Sequence, residues 1–337
     1  MELVNLLEIK SNHGYRKFKL YHGDISDLTF QVDLVCVSAF KNGYNPVPRT
    51  LIGSLYEKKN IDLKNLASNP EIDLRPSENC FITKNIDDTY IKRILCLEMI
   101  GSNLNLENNL NNLLSTLYKA ELAGIKISSI MFPLLGTGNQ AIEPNSIVEV
   151  LLRKIEYLLT TSININEVNL VEINKDKCEL LNKSMNQVLG RVSNIFKTSN
   201  IIKTVIGNIQ LLFNNHRTIL NERSFNDLQI ELEKESIDTT LLSVYSRNIC
   251  EFILDDLFPN HQKKDLVFMI TNLRELNIPP WIESYFHMLR VFGNAYVHEK
   301  LKARTPKEVS ESDLIIVLFG LERVIEFYVT QKNQHKS

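Results

Sequence analysis

The chain has 337 residues, enough for about two domains, with 44% hydrophobic residues, 23% charged residues and a formal net charge of −2. That near-balance excludes a global field favouring nucleic acid or an anionic membrane, while leaving room for a local basic groove. The five cysteines (Cys36, Cys80, Cys96, Cys178, Cys250) form no CxxC pair and read as buried thiols of an intracellular protein, and no cluster of residues has metal-ligand spacing.

The start of the chain, Met1-Glu2-Leu3-Val4-Asn5, has no basic segment leading into a long apolar run, so no signal peptide is expected. The longest apolar runs, such as Leu314-Ile315-Ile316-Val317-Leu318-Phe319, are too short to span a bilayer. A soluble, cytoplasmic protein is the expectation.

Residues 1 to about 190 alternate short apolar strands with helical patterns. Strands are predicted at 17–21, 34–37, 80–83, 91–98, 127–132 and 168–173, and helices at 106–123, 146–160 and 177–189. The alternation predicts a layered α/β domain whose ligands sit at the carboxyl ends of the strands. From about residue 195 apolar residues recur at helical spacing, at 200–214, 241–257, 263–276, 280–297 and 310–329. This predicts an all-α domain over 201–330, with 191–200 as linker and 1–190 as the α/β domain.

The strongest local signal is Met131-Phe132-Pro133-Leu134-Leu135-Gly136-Thr137-Gly138-Asn139-Gln140, an apolar strand running into a Gly-Thr-Gly turn with an amphipathic helix after Pro144. Glycines let backbone N–H groups approach an anion, and the helix adds its positive end, so this suits a phosphate; a plain tight turn is the alternative. Three further features accompany it. Gly23-Asp24-Ile25 follows the strand ending at Tyr21, Val32-Asp33-Leu34-Val35-Cys36-Val37-Ser38-Ala39 runs into a long loop, and Asn174 ends the last strand.

In their order and spacing these four features resemble macro domains, which bind ADP-ribose. The resemblance covers roughly residues 1–190 and implies a three-layer α/β/α fold, followed here by the all-α domain. It implies that Asp24 accepts a hydrogen bond from the adenine amino group, with the Ile25 backbone setting the base. Asp24 as the cap of a helix starting near Ser26 is the structural alternative. Leu135, Gly136, Thr137, Gly138, Asn139 and Gln140 would wrap the diphosphate, and Asn174 would border the adenine or its ribose or simply end the strand. Many ADP-ribose-processing members continue Ser38-Ala39 into an Asn-Ala-Ala-Asn loop and a glycine triplet. Here the chain reads Phe40-Lys41-Asn42-Gly43-Tyr44-Asn45-Pro46-Val47-Pro48-Arg49, which argues against ADP-ribosyl hydrolysis and is similar to a divergent subgroup accompanying prokaryotic signalling and defence proteins. Phe40 or Tyr44 would stack on a distal group and Arg49 pair with a phosphate; a core Phe40 and a solvated Arg49 are the alternatives.

In the second half, Ser246-Arg247-Asn248-Ile249-Cys250-Glu251 and Arg290-Val291-Phe292-Gly293-Asn294-Ala295-Tyr296-Val297-His298 stand out. Together they resemble a helical domain fused to prokaryotic defence proteins and distantly related to the HEPN nucleases, over roughly residues 235–330. That resemblance implies catalytic roles for Arg290 and His298 on RNA, although seven intervening residues are too many for the usual motif. A polar network of Arg247, Glu251, Arg290, Asn294 and His298 locking helix to helix is the favoured alternative. A homodimer or higher oligomer is expected, since such sites assemble across a dimer. The functional expectation is a sensor of ADP-ribose or an NAD-derived nucleotide made by a partner enzyme, which regulates the helical domain in anti-phage defence. An ADP-ribose-processing hydrolase and a ligand-activated ribonuclease are the alternatives. No metal or resident cofactor is expected.

Overall fold

Parallel strands covered on both faces are built from nearly continuous apolar runs, and the centre of the first half follows that rule in the computed structural model. The structure describes residues 1–99, 106–134, 144–189, 191, 195–259, 266–276, 278–297 and 309–334. It divides into two units, Met1–Val188 and Leu189–Ser337.

In chain order the first unit contains β1 (Glu2–Ser11), β2 (Gly14–His22), a 3-10 turn (Ile25–Asp27), β3 (Val32–Phe40), α1 (Leu51–Lys59) and α2 (Leu63–Ser68). β4 (Ile72–Leu74), α3 (Arg75–Glu78), β5 (Cys80–Ile82), β6 (Ile91–Met99) and α4 (Leu106–Leu122) follow. β7 (Ser129–Pro133), α5 (Pro144–Thr161), β8 (Glu167–Glu172) and α6 (Lys175–Val188) complete it. One eight-stranded sheet runs β1-β2-β8-β7-β3-β6-β5-β4. The five central strands, β2 to β6 in that order, are parallel, and antiparallel strands border them on each side. Leu34, Val35, Cys36 and Val37 of β3 and Ile94, Leu95, Cys96 and Leu97 of β6 are fully buried.

The helices pack by amphipathic stripes. Leu110, Leu113, Leu117 and Ala120 of α4 are buried, as are Val148, Leu151, Ile155 and Leu158 of α5, spaced by three or four. α4 lies on β5 and β6, while α5 and α6 lie on β1, β2 and β8. Arg16 of β2 is buried, and its guanidinium donates to the carbonyls of Ser162 (2.6 Å) and Ile163 (3.1 Å), just past the end of α5. A cation there satisfies carbonyls at the negative end of the helix.

The expected strands and helices are all present wherever the residues are described, and the chain is an α/β unit followed by a helical one. In the first unit β1, whose ELVNLLEIKS carries two carboxylates, the short helices α1, α2 and α3 and the strand β4 were not legible. All five cysteines are buried free thiols, and burial raises each one above the ordinary thiol range. No described helix is long and apolar enough to cross a membrane.

The second unit contains β9 (Ile195–Lys197), α7 (Asn200–Asn215), α8 (Arg223–Leu232), β10 (Ser236–Asp238) and α9 (Thr239–Leu257). α10 (Leu266–Asn272), α11 (Pro280–Val297) and α12 (Glu311–Gln334) follow. β9 pairs antiparallel with β10, so part of the stretch expected as linker is a strand and the helical unit carries a small ladder. Its core includes an aromatic cluster in which Phe225 of α8 meets Phe213 of α7, Phe252 of α9 and Tyr328 of α12, at centroid separations of 5.5 to 6.1 Å.

Two glycines permit close helix contacts. A Cβ on Gly293 of α11 would sit 2.8 Å from the Arg247 Cβ and 3.2 Å from the Ser243 carbonyl oxygen of α9. On Gly320 of α12 it would clash with the Met288 methyl, at 2.1 Å, the free end of a flexible side chain, and would lie in ordinary contact with Leu289, at 3.5 Å. Gly293→Ala is therefore expected to destabilise by about 1–3 kcal/mol, since neither neighbour can turn aside. Gly320→Ala should be nearly neutral, because Met288 can swing away and alanine gains about 1 kcal/mol of helix propensity. Urea unfolding of the two variants checks the contrast, and equal losses would refute it.

Candidate functional site

Because β2, β8, β7, β3 and β6 are parallel, their carboxyl ends share one rim of the sheet. Gly23-Asp24-Ile25 leaves β2 there, Ile173 and Asn174 leave β8, Leu134 leaves β7, and Phe40 ends β3. The Gly23 N–H donates to the Glu172 carbonyl (3.0 Å), so the Asp24 and Asn174 corners are neighbours. From that corner to β3 are three strand spacings, about 14 Å. Such a span suits an extended ligand with two ends better than a compact one.

Asp24 caps the 3-10 turn. Its Oδ1 accepts from the Ser26 N–H (2.8 Å) and the Ser26 hydroxyl (2.7 Å), and its Oδ2 from the Lys58 ammonium (3.1 Å). Lys58, on α1, also binds Asp27 at 2.9 Å. Burial pushes the Asp24 carboxyl up, but the bonds from Ser26 and Lys58 outweigh it and hold it below the usual range. The capping alternative is thus realised, and an amino group reaching this carboxylate must share it with Lys58. Ile25 is buried beneath the turn. Asn174 is exposed, and its Oδ1 accepts from the Lys177 N–H (2.9 Å) at the start of α6.

The β3 end separates two residues that the sequence left interchangeable. Phe40 is 81% exposed, the most exposed aromatic among the described residues, and is not core. Tyr44 is the buried one. It packs edge-on to Phe81 at 5.4 Å, and its hydroxyl donates to the Glu98 carboxylate in a short bond and accepts from Arg75 Nη1 (3.3 Å). Burial first, and then the bond to Glu98, raises the Tyr44 phenol to about 12. A stacking role for Tyr44 conflicts with this, because its ring and hydroxyl are already occupied. Ser38 is half-buried and Ala39 buried in the strand. Arg49 is exposed, with φ +67°, two residues before α1. Glu98 and Arg75 were missed by the sequence reading; a carboxylate ending the apolar run of β6 was the available signal.

Leu135, Gly136, Thr137, Gly138, Asn139 and Gln140 lie outside the described residues, as does His298. In the helical unit, Arg247 donates to Asn294 Oδ1 in a short bond and pairs with Glu251 at 3.1 Å, so these three do tie α9 to α11. Arg290 is half-buried on α11, with its Nε buried and without a hydrogen-bond partner among the described residues. Among the described residues no group of His, Cys, Asp and Glu is placed to hold a metal.

No protein-family model matches the chain, and no curated protein matches it. Among solved structures it is similar to a mutant of the Oceanobacillus iheyensis macrodomain (15% identity, TM-score 0.42, 56% of this chain and 99% of that one). It is also similar to the same macrodomain with ADP (16%, 0.36, 56% and 98%) and to the Trypanosoma brucei macrodomain in complex with ADP-ribose (17%, 0.38, 49% and 68%).

Asp24→Ala is expected to cost about 0.5–2 kcal/mol through loss of the cap. Since the folded carboxyl titrates below its unfolded value, its contribution is complete above the ordinary Asp pKa of about 3.9 and is lost as pH falls towards the folded value. Denaturation of wild type and variant from neutral to acid pH should show the gap closing; a gap constant with pH would refute the assignment.

Proposed function

We propose that the α/β unit binds ADP-ribose, or a nucleotide derived from NAD, along the carboxyl rim of its parallel strands. The observation that carries this reading is the meeting on one rim of chain corners far apart in sequence, at Asp24, Phe40, Leu134 and Asn174. The adenine end belongs at the Asp24 and Asn174 corner, with Ile25 behind it. The diphosphate belongs beyond Leu134, against Gly136, Thr137, Gly138 and Asn139. The group past the second phosphate then falls towards β3, where Phe40 offers an open ring face and Arg49 an exposed cation. Binding without turnover is favoured, because the chain after Ser38-Ala39 carries neither the Asn-Ala-Ala-Asn loop nor the glycine triplet of the ADP-ribose-processing members.

For the helical unit the proposal is that it carries the response to the ligand, in a setting of prokaryotic anti-phage defence and as a homo-oligomer. Ligand must then bind one state of the protein more tightly than another, because equal affinity shifts nothing. A ribonuclease centred on Arg290 and His298 is not favoured: the neighbouring Arg247, Glu251 and Asn294 are engaged in holding helices together.

Calorimetric titration with ADP-ribose, NAD and AMP tests the binding. ADP-ribose is expected to bind, and Gly138→Glu to abolish binding while leaving the unfolding transition in place, since it puts bulk and negative charge against the diphosphate. Asp24→Ala should weaken adenine-containing ligands by about 1–3 kcal/mol. Unchanged affinity in both variants would overturn the assignment.

A further inference from the structure

A hydrophobic ring held almost wholly in solvent at a ligand rim needs something to keep it there, because folding it down would remove apolar area from water. Phe40 is the last β3 residue in the ladder, opposite Met99. The chain then reverses at once: the Gly43 N–H donates to the Phe40 carbonyl (2.8 Å), and Asn42 takes a left-handed conformation, φ +58°. The returning limb is tied by one buried carboxylate. Glu98, 3% exposed and opposite Ala39 in the ladder, accepts the Asn42 N–H at 3.0 Å and the Tyr44 hydroxyl, both on Oε1. Arg75 extends the chain of bonds: it donates to Tyr44, pairs with Asp73, and lies 5.0 Å over the Phe81 ring. A carboxylate this deep is costly unless it is hydrogen-bonded, and both donors to its Oε1 come from the loop it restrains.

We propose that Glu98 is a positioning residue for ligand selectivity: by tying Asn42 and Tyr44 it fixes the 40–43 turn and holds Phe40 out as the stacking face for the group beyond the second phosphate. This rests on the proposed nucleotide site. Without the carboxylate the limb relaxes and the Phe40 ring settles onto the rim. The adenine corner, three strands away, is untouched.

The test is titration of the full chain with AMP, which ends before the distal group, and with ADP-ribose. Wild type, Glu98→Ala, Glu98→Gln, Phe40→Ala and the Glu98→Ala/Phe40→Ala double variant are compared. Glu98→Ala is expected to lower ADP-ribose affinity about tenfold, the scale of one lost stacking contact, with AMP affinity unchanged. Glu98→Gln, which keeps an acceptor oxygen, should restore most of it. Phe40→Ala should reproduce the loss, and the double variant should be no worse than Phe40→Ala alone, because both changes remove the same contact. Should Glu98→Ala fail to fold, Tyr44→Phe removes one of the two ties and should give the same selective loss in smaller measure. Equal losses for AMP and ADP-ribose, additive losses in the double variant, or no loss at all would overturn the role of Glu98 while leaving the site standing. Wild type binding neither nucleotide would remove the site and the inference together.

Discussion

Parallel pairing is the constraint on which the α/β unit depends. A strand can join a parallel neighbour only after the chain has crossed back over the sheet, so every such strand leaves at the same rim. The chain departures after β2, β3, β7 and β8 therefore meet in space although they are spread from residue 23 to residue 174. The ladder sets their order along the rim, the buried apolar strands hold the ladder, and the antiparallel borders β1 and β5-β4 flank it. Local chemistry then decides what each departure can offer. Ser26 and Lys58 consume most of the Asp24 carboxylate, Lys177 engages Asn174, and Phe40 is presented with its side chain open.

The central strands and the long helices were legible because their apolar spacing is set by burial. Leu34 to Val37 and Leu241 to Leu257 could hardly fold otherwise. β1 was not legible, since Glu8 and Asn5 break its pattern and both are buried through contacts made across the sheet and to α6. Which aromatic after β3 is buried was equally hidden. Phe40 and Tyr44 look alike in a loop, and the choice is made by Glu98, more than fifty residues away in sequence, whose carboxylate needs a hydroxyl. Sequence patterns report periodic burial well; they report poorly the satisfaction of one buried charge by a distant donor.

The helical unit is organised differently. Its long helices approach through glycine at Gly293 and Gly320, and polar groups at the closest approach are paired with one another, as Arg247 is with Asn294 and Glu251. Small residues allow the approach, and a charge network at the seam fixes its register. The motif that drew attention in the sequence is, on α9, part of that seam.

The pairing of β2 with β8 also governs when the unit can form. Lys17 lies opposite Glu167, and Arg16 waits for carbonyls at Ser162 and Ile163, about 150 residues later in the chain. Within the unit the β1-β2 hairpin precedes every other strand, and it has no sheet to join until β8 has followed. Its apolar strands stay uncovered through most of the unit's translation, in a topology whose contacts are long-range and therefore slow to close. Closure of the α/β unit therefore waits on its last strand, β8, and the long sequence separation of that pairing makes it a slow contact to form.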